Sequence, residues 1–530
     1  MTDFSYDARY PTHRVPTFGR NMVATSQPLA AQAGIRMLLR GGNAVDAALA
    51  AAITLTVVEP TGNGLGSDAF AIVWDGKELH GLNASGRSPA GWNPERFAGL
   101  AKMPEAGWDS VTVPGAVSSW AALSKRFGKL PFEDLFEPAL TYAREGFLVS
   151  PTIARLWALG GARLGKQPGF ANHFLPCGKA PLPGQLFRNP AIAESLRLIA
   201  ETKGEAFYHG VLAEKIAASA AAHGGVLTQQ DLAEHTIDWC GTISTGFRDV
   251  ELHEIPPNGQ GIAALMALGI LEHTDIADYP VDSAESLHLQ IEAMKLAFAD
   301  VDAYVGDPDH MRLSVADLLS KTYLTQRAAH IDMGQAADPG AGAPTLGGTV
   351  YLTAADETGM MVSFIQSNYA GFGSGVVVEG TGIHLQNRGA GFTLEHGHSN
   401  VVGPRKRPFH TIIPGFVTKN GLPQMSFGVM GGPMQAQGHV QMLLRTQLFG
   451  QNPQMASDAP RWRFVAGRKV AVEQGIAEEV LAKLTELGHV IVRETPDNSF
   501  AFGGAQLIHV MDDGYAGGSD TRKDGAALAC

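Results

Sequence analysis

Apolar and polar positions follow a helical period in the first part of the chain. Residues 28–40 (PLAAQAGIRMLLR) carry this period and stop at two glycines, which are typical of a helix C-terminus. Asn43 can cap a second, alanine-rich helix that Pro60 ends. A glycine-rich turn then leads to the apolar run 69–74, which predicts a strand followed by a hairpin turn.

The middle of the chain, about 110–345, reads as mostly helical. Its segments alternate an apolar and a polar face and end near glycine. The predicted helices lie at 118–128, 131–146, 189–204, 213–225, 261–273 and 283–305.

The pattern changes at Thr349, where apolar residues begin to alternate as in strands. Residues 349–355 and 360–369 predict a β-hairpin around a turn at 356–359. Further short strands are expected at 380–387, 410–418 and 424–430, and helices at 434–450 and 478–489. Because both halves contain helices and strands, we expect an α+β fold, with a sheet sandwich covered by helices.

Residues 333–348 (MGQAADPGAGAPTLGG) separate these two parts. They are rich in Gly, Pro and Ala and have no periodicity, so the sequence predicts an exposed, mobile linker.

Composition narrows the classes of function. The 530 residues include 45% hydrophobic and 17% charged residues, enough for more than one ordinary core. The net charge is −12, and the densest basic cluster is only Arg405, Lys406 and Arg407, so nucleic acid is not an expected partner. A small molecule is expected instead.

The expected compartment and metal content are inferred from sequence features that are missing. The N-terminus has no secretory apolar region, and the longest apolar run, residues 47–58, is too short for a bilayer, so no membrane association is expected. Three cysteines without metal or redox spacing suit a reducing cytoplasm. The Glu395–His398 stretch (EHGH) reads as an exposed polar loop, so we expect neither metal nor cofactor.

Thr349 is the candidate for chemistry. A glycine before it allows close approach of a hydroxyl to the Gly348 carbonyl, and cleavage there would release an α-amine with a pKa of about 8 that can serve as general base. The alternative is that Thr349 merely opens a strand, where Thr is common. The local pattern leaves both open.

Motifs along nearly the whole chain resemble the γ-glutamyltranspeptidase family of N-terminal-nucleophile hydrolases. The segments that carry the resemblance are GGNAVDAALAAAITLTVVEPTGNGLGSDAF, SVTVPGAVSSW, PPNGQGIAALMALGILE, EAMKLAFADVDAYVGDPD, FGSG, GTGIHLQN, KRPFHTIIP and GVMGGP. They occur in the family's order.

The resemblance implies a four-layer αββα sandwich and self-cleavage between Gly348 and Thr349. It implies a large subunit, 1–348, and a small subunit, 349–530, that form a heterodimer, and it leaves open whether two heterodimers associate. By position, Ser367 resembles the hydroxyl residue that hydrogen-bonds the nucleophile. Gly431 and Gly432 resemble the pair whose N–H groups form an oxyanion hole.

The match fails where a γ-glutamyl group would be held. The acidic pair expected before Phe392 is Ala390-Gly391, so an α-ammonium would lack its counter-charge. Ser85 occupies the family's arginine position. The residues that replace or flank the family's substrate-binding positions are Arg87, Arg388, Asn368, Tyr369, His410 and Thr411.

These changes predict a substrate with a carboxylate, gripped by Arg87 or Arg388, and no α-amine. They resemble the branch with oxamate amidohydrolase and glutaryl-cephalosporin acylases. We therefore expect hydrolysis of a small carboxylate-bearing amide of the oxamate type, through an acyl-enzyme. Glutaryl-type acylase and γ-glutamyl (glutathione) hydrolase or transferase activity are the alternatives, and an uncleaved, inactive binding protein is the alternative from another class.

Overall fold

A computed structural model of the chain describes residues 14–338, 348–495 and 501–530. The strands are β1 (Thr17–Gly19), β2 (Met22–Thr25), β3 (Asp68–Trp74), β4 (Leu79–Asn83), β5 (Phe147–Leu148), β6 (Leu186–Phe187), β7 (Asp238–Trp239), β8 (Ile243–Phe247), β9 (Val250–Glu254), β10 (Gly348–Ala355), β11 (Met361–Tyr369), β12 (Val377–Val378), β13 (Ile383–His384), β14 (Gly415–Lys419), β15 (Leu422–Met430), β16 (Trp462–Ala466), β17 (Lys469–Val472), β18 (Val490–Arg493), β19 (Gly504–Met511), β20 (Gly514–Ser519) and β21 (Ala526–Ala529).

The helices are α1 (Pro28–Leu39), α2 (Ala44–Val58), α3 (Ala116–Phe127), α4 (Glu137–Glu145), α5 (Pro151–Leu164), α6 (Phe170–Phe174), α7 (Pro190–Thr202), α8 (Glu205–Tyr208), α9 (Val211–Ala222), α10 (Gln229–Ala233), α11 (Gly261–Leu271), α12 (Ala284–Tyr304), α13 (Val315–Leu318), α14 (Lys321–Ala328), α15 (Met434–Leu443), α16 (Pro453–Asp458) and α17 (Glu478–Glu486). Within the described ranges, none of these helices combines the length and apolar character needed to cross a bilayer.

Two seven-stranded sheets form the centre of the fold. One has the order β21-β2-β10-β11-β3-β4-β7 and the other β1-β20-β19-β15-β14-β9-β8. The space between them is filled by buried side chains from both sheets, among them Phe70, Tyr351 and Ile365 from the first and Phe416 and Met430 from the second. Each sheet thus buries one face against the other.

Helices cover the outer face of each sheet. The alanine-rich helix α2 packs on β10 and β11 and is buried along its whole length, because small side chains allow it to lie close to the sheet. A reciprocal capping box between Asn43 and Asp46 begins it. Helices α11 and α15 pack on the second sheet. The predicted four-layer αββα sandwich is confirmed.

The structure also contains strands that the sequence analysis missed. The region 110–345 was expected to be mostly helical, yet β8 and β9 form an antiparallel pair at the edge of the second sheet. Polar residues such as Glu251 and His253 alternate with buried residues along β9, which lies between β8 and β14, and they interrupt its apolar pattern. In the expected strand 380–387, only Ile383 and His384 pair as a strand.

Most of the predicted linker 333–348 lies outside the described residues, at 339–347. The described part is held by polar contacts. The Ala336 N–H donates to the Leu487 carbonyl at 2.7 Å, and the Ala337 N–H donates to Glu292 Oε2 at 3.1 Å.

Candidate active site

Thr349 and Ser367 meet on neighbouring strands of one hairpin. Thr349 is the second residue of β10, and Ser367 lies near the end of β11. Their hydroxyl oxygens are 3.0 Å apart, and both side chains are buried. The Ser367 hydroxyl also donates to the Gly348 carbonyl at 2.7 Å. Ser367 therefore contacts both the predicted nucleophile, Thr349, and the carbonyl of the bond it would cleave.

The other contacts of Ser367 decide where its proton points. The backbone N–H of Tyr369 donates to Ser367 Oγ at 2.8 Å, and Arg388 Nη2 donates to it at 3.1 Å. The lone pairs of Ser367 Oγ face these N–H donors and the Thr349 hydroxyl, so its single proton is directed to the Gly348 carbonyl. A cationic donor strengthens this chain of hydrogen bonds, which polarises the Gly348 carbonyl for attack.

Gly348 lies where a side chain would not fit. A Cβ there would lie 2.9 Å from both the Cα and the N of Gly371 and 3.1 Å from the Thr61 carbonyl oxygen. All three are backbone atoms that a rotamer change cannot move. The glycine before Thr349 is thus required by packing.

Contacts across the two sheets place Gly431 and Gly432 near Thr349. Thr353 hydrogen-bonds Ser426, and the Tyr351 ring packs against Gly428. From Thr353 to Tyr351 the chain position moves back along β10, whereas from Ser426 to Gly428 it moves forward along β15. The start of β10 therefore lies opposite the end of β15. Gly431 and Gly432 follow directly after that end.

The glycine pair has a backbone that other residues rarely adopt. Its φ angles are 131° at Gly431 and 60° at Gly432. Gln260 Nε2 donates to the carbonyls of Gly432 (2.8 Å) and Thr411 (2.5 Å), which ties the pair to the same network. As expected, a helix, α15, begins just beyond it.

Arg388 is a buried cation without a hydrogen-bonded carboxylate among the described residues. Its guanidinium lies 4.4 Å from the centre of the Tyr369 ring and donates through Nη1 to Thr411 Oγ1 at 2.8 Å. Its Nε has no partner in the described part of the chain. Burial lowers the pKa of Arg388 to about 10, opposed by the charge of Asp68, so the side chain stays cationic at neutral pH.

Asp68 and His410 form a buried pair whose charges interact with Arg388. Asp68 Oδ1 accepts the backbone N–H groups of Gly86 and Gly115, both at 3.1 Å, and Oδ2 lies 3.2 Å from His410 Nε2. Burial raises the pKa of Asp68 to about 7, although Arg388 opposes this. Burial, Arg388 and Arg407 hold the pKa of His410 well below its usual range, so His410 is neutral.

A cavity of about 870 Å³ opens beside the cleavage site. Of the residues predicted from sequence, Gly348, Tyr369 and Thr411 line it, and Pro433 places the glycine pair at its wall. Asn368 is buried beside Ser67 and His410 beside Asp68, and neither lines the cavity.

Arg87 does not line the cavity, and neither do the buried Thr349, Ser367 and Arg388, so contacts and not cavity lining distinguish the two arginines. The pKa of Arg87 is lowered by burial and by Arg407, and its charge is balanced by Asp238, Asp307 and Asp309. The structure thus brings Arg388, and not Arg87, to the hydroxyl of Ser367.

Sequence reasoning missed several polar residues of the site. Gln260 lies in the segment PPNGQG, and Asp68 is the acidic residue that opens an otherwise apolar strand, which was a usable signal. Glu105 also lines the cavity, where it forms a 2.6 Å ion pair with Lys102. Ala390 and Gly391, the positions where the family has acids, line the cavity as well.

Two groups of side chains in the described ranges have the spacing of metal ligands, and neither contributes to the cavity. They are His288, Glu292 and His489, and Asp75, Glu78 and His80. In the first, the Lys295 ammonium already lies 2.7 Å from Glu292 Oε1, where it supplies the positive charge. The residues around Thr349 are hydroxyls, amides and one arginine, which are not a metal-binding set.

Comparisons with known proteins agree with this geometry. A sequence profile described as Gamma-glutamyltranspeptidase matches residues 30–530. The chain is 39% identical to the "Glutathione hydrolase-like YwrD proenzyme" of Bacillus subtilis (strain 168), over 96% of this chain and 98% of that protein. It is 36% identical to the "Oxamate amidohydrolase proenzyme" of Klebsiella pneumoniae, over 96% and 98% of the two chains. The crystal structure of a cephalosporin acylase from Bacillus halodurans is similar with a TM-score of 0.95 at 47% identity, covering 100% of this chain and 99% of that one.

Proposed function

This chain belongs to the gamma-glutamyltranspeptidase family of hydrolases, and we propose that it is a self-processing amidohydrolase whose nucleophile is Thr349. Cleavage after Gly348 yields subunits 1–348 and 349–530, which stay together because each sheet contains paired strands from both subunits. The observation that carries the proposal is the Ser367 hydroxyl, which contacts the Thr349 hydroxyl and the Gly348 carbonyl at once.

Self-cleavage prepares the catalytic group. Thr349 Oγ1 attacks the Gly348 carbonyl carbon, the Thr349 nitrogen leaves, and water hydrolyses the resulting ester. The freed α-amine then takes the proton of the Thr349 hydroxyl when that hydroxyl attacks a substrate amide. The N–H groups of Gly431 and Gly432 stabilise the oxyanion, the amine gives its proton to the leaving group, and water releases the acyl product.

The position of Arg388 favours a short acyl group. Arg388 Nη2 and Thr349 Oγ1 both bond to Ser367 Oγ, at 3.1 and 3.0 Å, so they lie at most about 6 Å apart. A carboxylate that pairs with this guanidinium must lie within about 3 Å of it. A carboxylate attached directly to the reacting carbonyl, as in oxamate, meets both conditions. Departure of the Gly348 carbonyl would give it access beside Ser367.

Two other substrate classes fit the site less well than oxamate, glutaryl amides first and γ-glutamyl amides second. A glutaryl amide carries its carboxylate several bonds further from the carbonyl, and it suits Arg388 less well the closer Arg388 lies to Thr349 within the limit of about 6 Å. A γ-glutamyl amide needs an acid for its α-ammonium, and Glu105 is the observation in its favour, although Glu105 is paired with Lys102. An inactive binding protein is the remaining alternative, and the intact set of Thr349, Ser367 and the glycine pair argues against it.

Two measurements test the proposal. The purified protein should separate on a denaturing gel into chains of about 37 and 19 kDa, in proportion to the 56.1 kDa of the whole, and the smaller should begin TVYLTAADE. Release of ammonia from oxamate should exceed turnover of γ-glutamyl and glutaryl anilides. A persistent single full-length chain without activity would support the binding protein instead.

A further inference from the structure

We propose that Gln260 is a positioning residue for the reaction, which holds the backbone of Gly431 and Gly432 at a fixed place relative to Arg388. The inference rests on the proposed function, because it takes the N–H groups of the glycine pair as the donors to the oxyanion. Gln260 belongs to the large subunit, 1–348, whereas the glycine pair belongs to the small subunit, 349–530. One subunit would thus set the geometry of the oxyanion site of the other.

The glycine pair does not fix its own backbone. Glycine has no Cβ, so Gly431 and Gly432 adopt φ angles of 131° and 60° without strain, but they could adopt many other angles as readily. N–H groups stabilise an oxyanion best when they already point at its position before the reaction begins. Contacts from outside the pair must therefore hold these N–H groups in place.

Gln260 supplies such a contact from another part of the fold. Its Nε2 donates to the Gly432 carbonyl at 2.8 Å. The backbone N–H groups of Met434 and Gln435 also donate to the two glycine carbonyls, at 3.2 and 3.1 Å, but they belong to the same turn and move with it. The Gln260 amide instead fixes this turn to a separate element.

The position of Gln260 is itself well defined. Its side chain is buried, and it directly precedes helix α11, which is buried along its whole length. Its backbone N–H donates to the His410 carbonyl at 2.9 Å, and its carbonyl accepts the N–H of Ala263 at 2.9 Å. Because both backbone groups are held, the side-chain amide is presented from a fixed base.

The same amide nitrogen also contacts the residue that holds Arg388. Gln260 Nε2 donates to the Thr411 carbonyl at 2.5 Å, and Thr411 Oγ1 accepts a hydrogen bond from Arg388 Nη1 at 2.8 Å. An amide nitrogen carries two hydrogens, so both are used, one for Thr411 and one for Gly432. A single planar group therefore sets the spacing between the oxyanion site and the support of the arginine.

Gln260→Met tests this role, because methionine has a similar length and donates no hydrogen bond. Self-cleavage should reach completion, since Ser367 holds the Gly348 carbonyl. The kcat for the amide that the unmodified protein turns over fastest should fall roughly tenfold, because the oxyanion donors are no longer aligned. KM should change less than threefold, since Arg388 keeps its contacts with Ser367 and the Tyr369 ring. An unchanged kcat would overturn the inference.

Gln441→Met is the matched control. Gln441 Nε2 also joins two backbone carbonyls, those of Gln437 and Trp462, at 3.2 and 3.0 Å, and it is buried outside the cavity. Its loss should lower the temperature of thermal unfolding about as much as Gln260→Met does and leave kcat unchanged. An equal fall of kcat in both variants would show a general loss of rigidity and would overturn the positioning role.

Gln260→Glu tests the two hydrogens at constant size. A carboxylate has no proton for the two carbonyls, whereas the protonated acid has one. The kcat of Gln260→Glu, divided by that of the unmodified protein at the same pH, should therefore rise as the pH falls, and the same ratio for Gln260→Met should stay flat. A Gln260→Glu variant with the kcat of the unmodified protein at every pH would contradict the inference.

The unmodified protein separates this inference from the proposed function. If it cleaves itself and turns over an amide while Gln260→Met retains full kcat, only the role of Gln260 is wrong. If the unmodified protein neither cleaves itself nor turns over oxamate, glutaryl or γ-glutamyl amides, the proposed function and this inference are both wrong.

Discussion

Ser367 Oγ lies 3.0 Å from Thr349 Oγ1, and this contact forms before the chain is cut. Because Ser367 also donates to the Gly348 carbonyl, the proposed mechanism has one hydroxyl contact both the attacking group and the group that is attacked. Arg388 donates to the same oxygen, so in the proposed mechanism the arginine that binds the substrate carboxylate would also assist self-cleavage through Ser367.

Thr349→Ala should remain a single chain of 56.1 kDa without amidase activity, because alanine has no hydroxyl. Thr349→Ser keeps the hydroxyl without the methyl group that restricts its rotamers, and should be cut more slowly. Time-resolved denaturing gels of freshly purified protein measure both. Continued cutting of the alanine variant would show that another nucleophile or a protease is responsible.

Gly348→Ala should slow self-cleavage strongly while the protein stays folded. The added Cβ would meet backbone atoms of Gly371 and Thr61, which would move the Gly348 carbonyl away from Ser367. Gly246→Ala is the matched control, since a Cβ there meets nothing within 4 Å. Equal cleavage rates for the two variants would show that the close packing at Gly348 is unimportant.

Arg388→Met should reduce kcat/KM for oxamate by roughly 10- to 100-fold after processing is complete, the size expected for one lost charge-assisted hydrogen bond. Processing itself should be slower, because Ser367 loses its cationic donor. Arg388→Lys should recover part of the processing rate but little of the substrate affinity, since lysine lacks the planar fork.

Arg87→Met distinguishes the two arginines that the sequence left open. We expect its kcat/KM to stay near that of the unmodified protein, because Arg388, and not Arg87, donates to Ser367 beside the nucleophile. If Arg87→Met raised KM more than Arg388→Met did, binding of the substrate carboxylate would have to be assigned to Arg87 instead.

The KM for an anionic substrate should rise as pH increases through about 7. Asp68 has a pKa of about 7 in the folded protein, faces His410, Arg388 and Arg407, and when ionised competes for the charge of Arg388. Asp68→Asn should remove this rise from a pH series of KM values. A rise that persists in this variant would assign it to another group.

The raised pKa of Asp68 also affects the stability of the folded protein. The carboxyl pKa is raised from its ordinary 3.8, so ionisation of Asp68 opposes folding. Its contribution to stability is fully present below about pH 4 and is lost as the pH rises through 7. Thermal unfolding of Asp68→Asn, compared with the unmodified protein at pH 5 and pH 8, measures this difference.

Helices and strands that depend on residues close together in the chain could be predicted from the sequence. The boundaries of α1, α2, β10 and β11 follow from local periodicity, Asn43 and the glycine-rich turns, and the structure places them within about two residues of expectation. The strands β8 and β9 were missed because both are short and polar residues interrupt their apolar positions.

The sequence by itself determined the hairpin that begins at Thr349, the glycine before it and the loss of the acidic pair at Ala390-Gly391, because these depend on residue type and short spacing. Only the tertiary structure decided that Arg388 and not Arg87 reaches Ser367, that Asp68 lies behind it, and how large the cavity is. The physical reason is that burial, pKa shifts and cavity volume arise where segments from different parts of the chain pack together, and no local pattern records that packing.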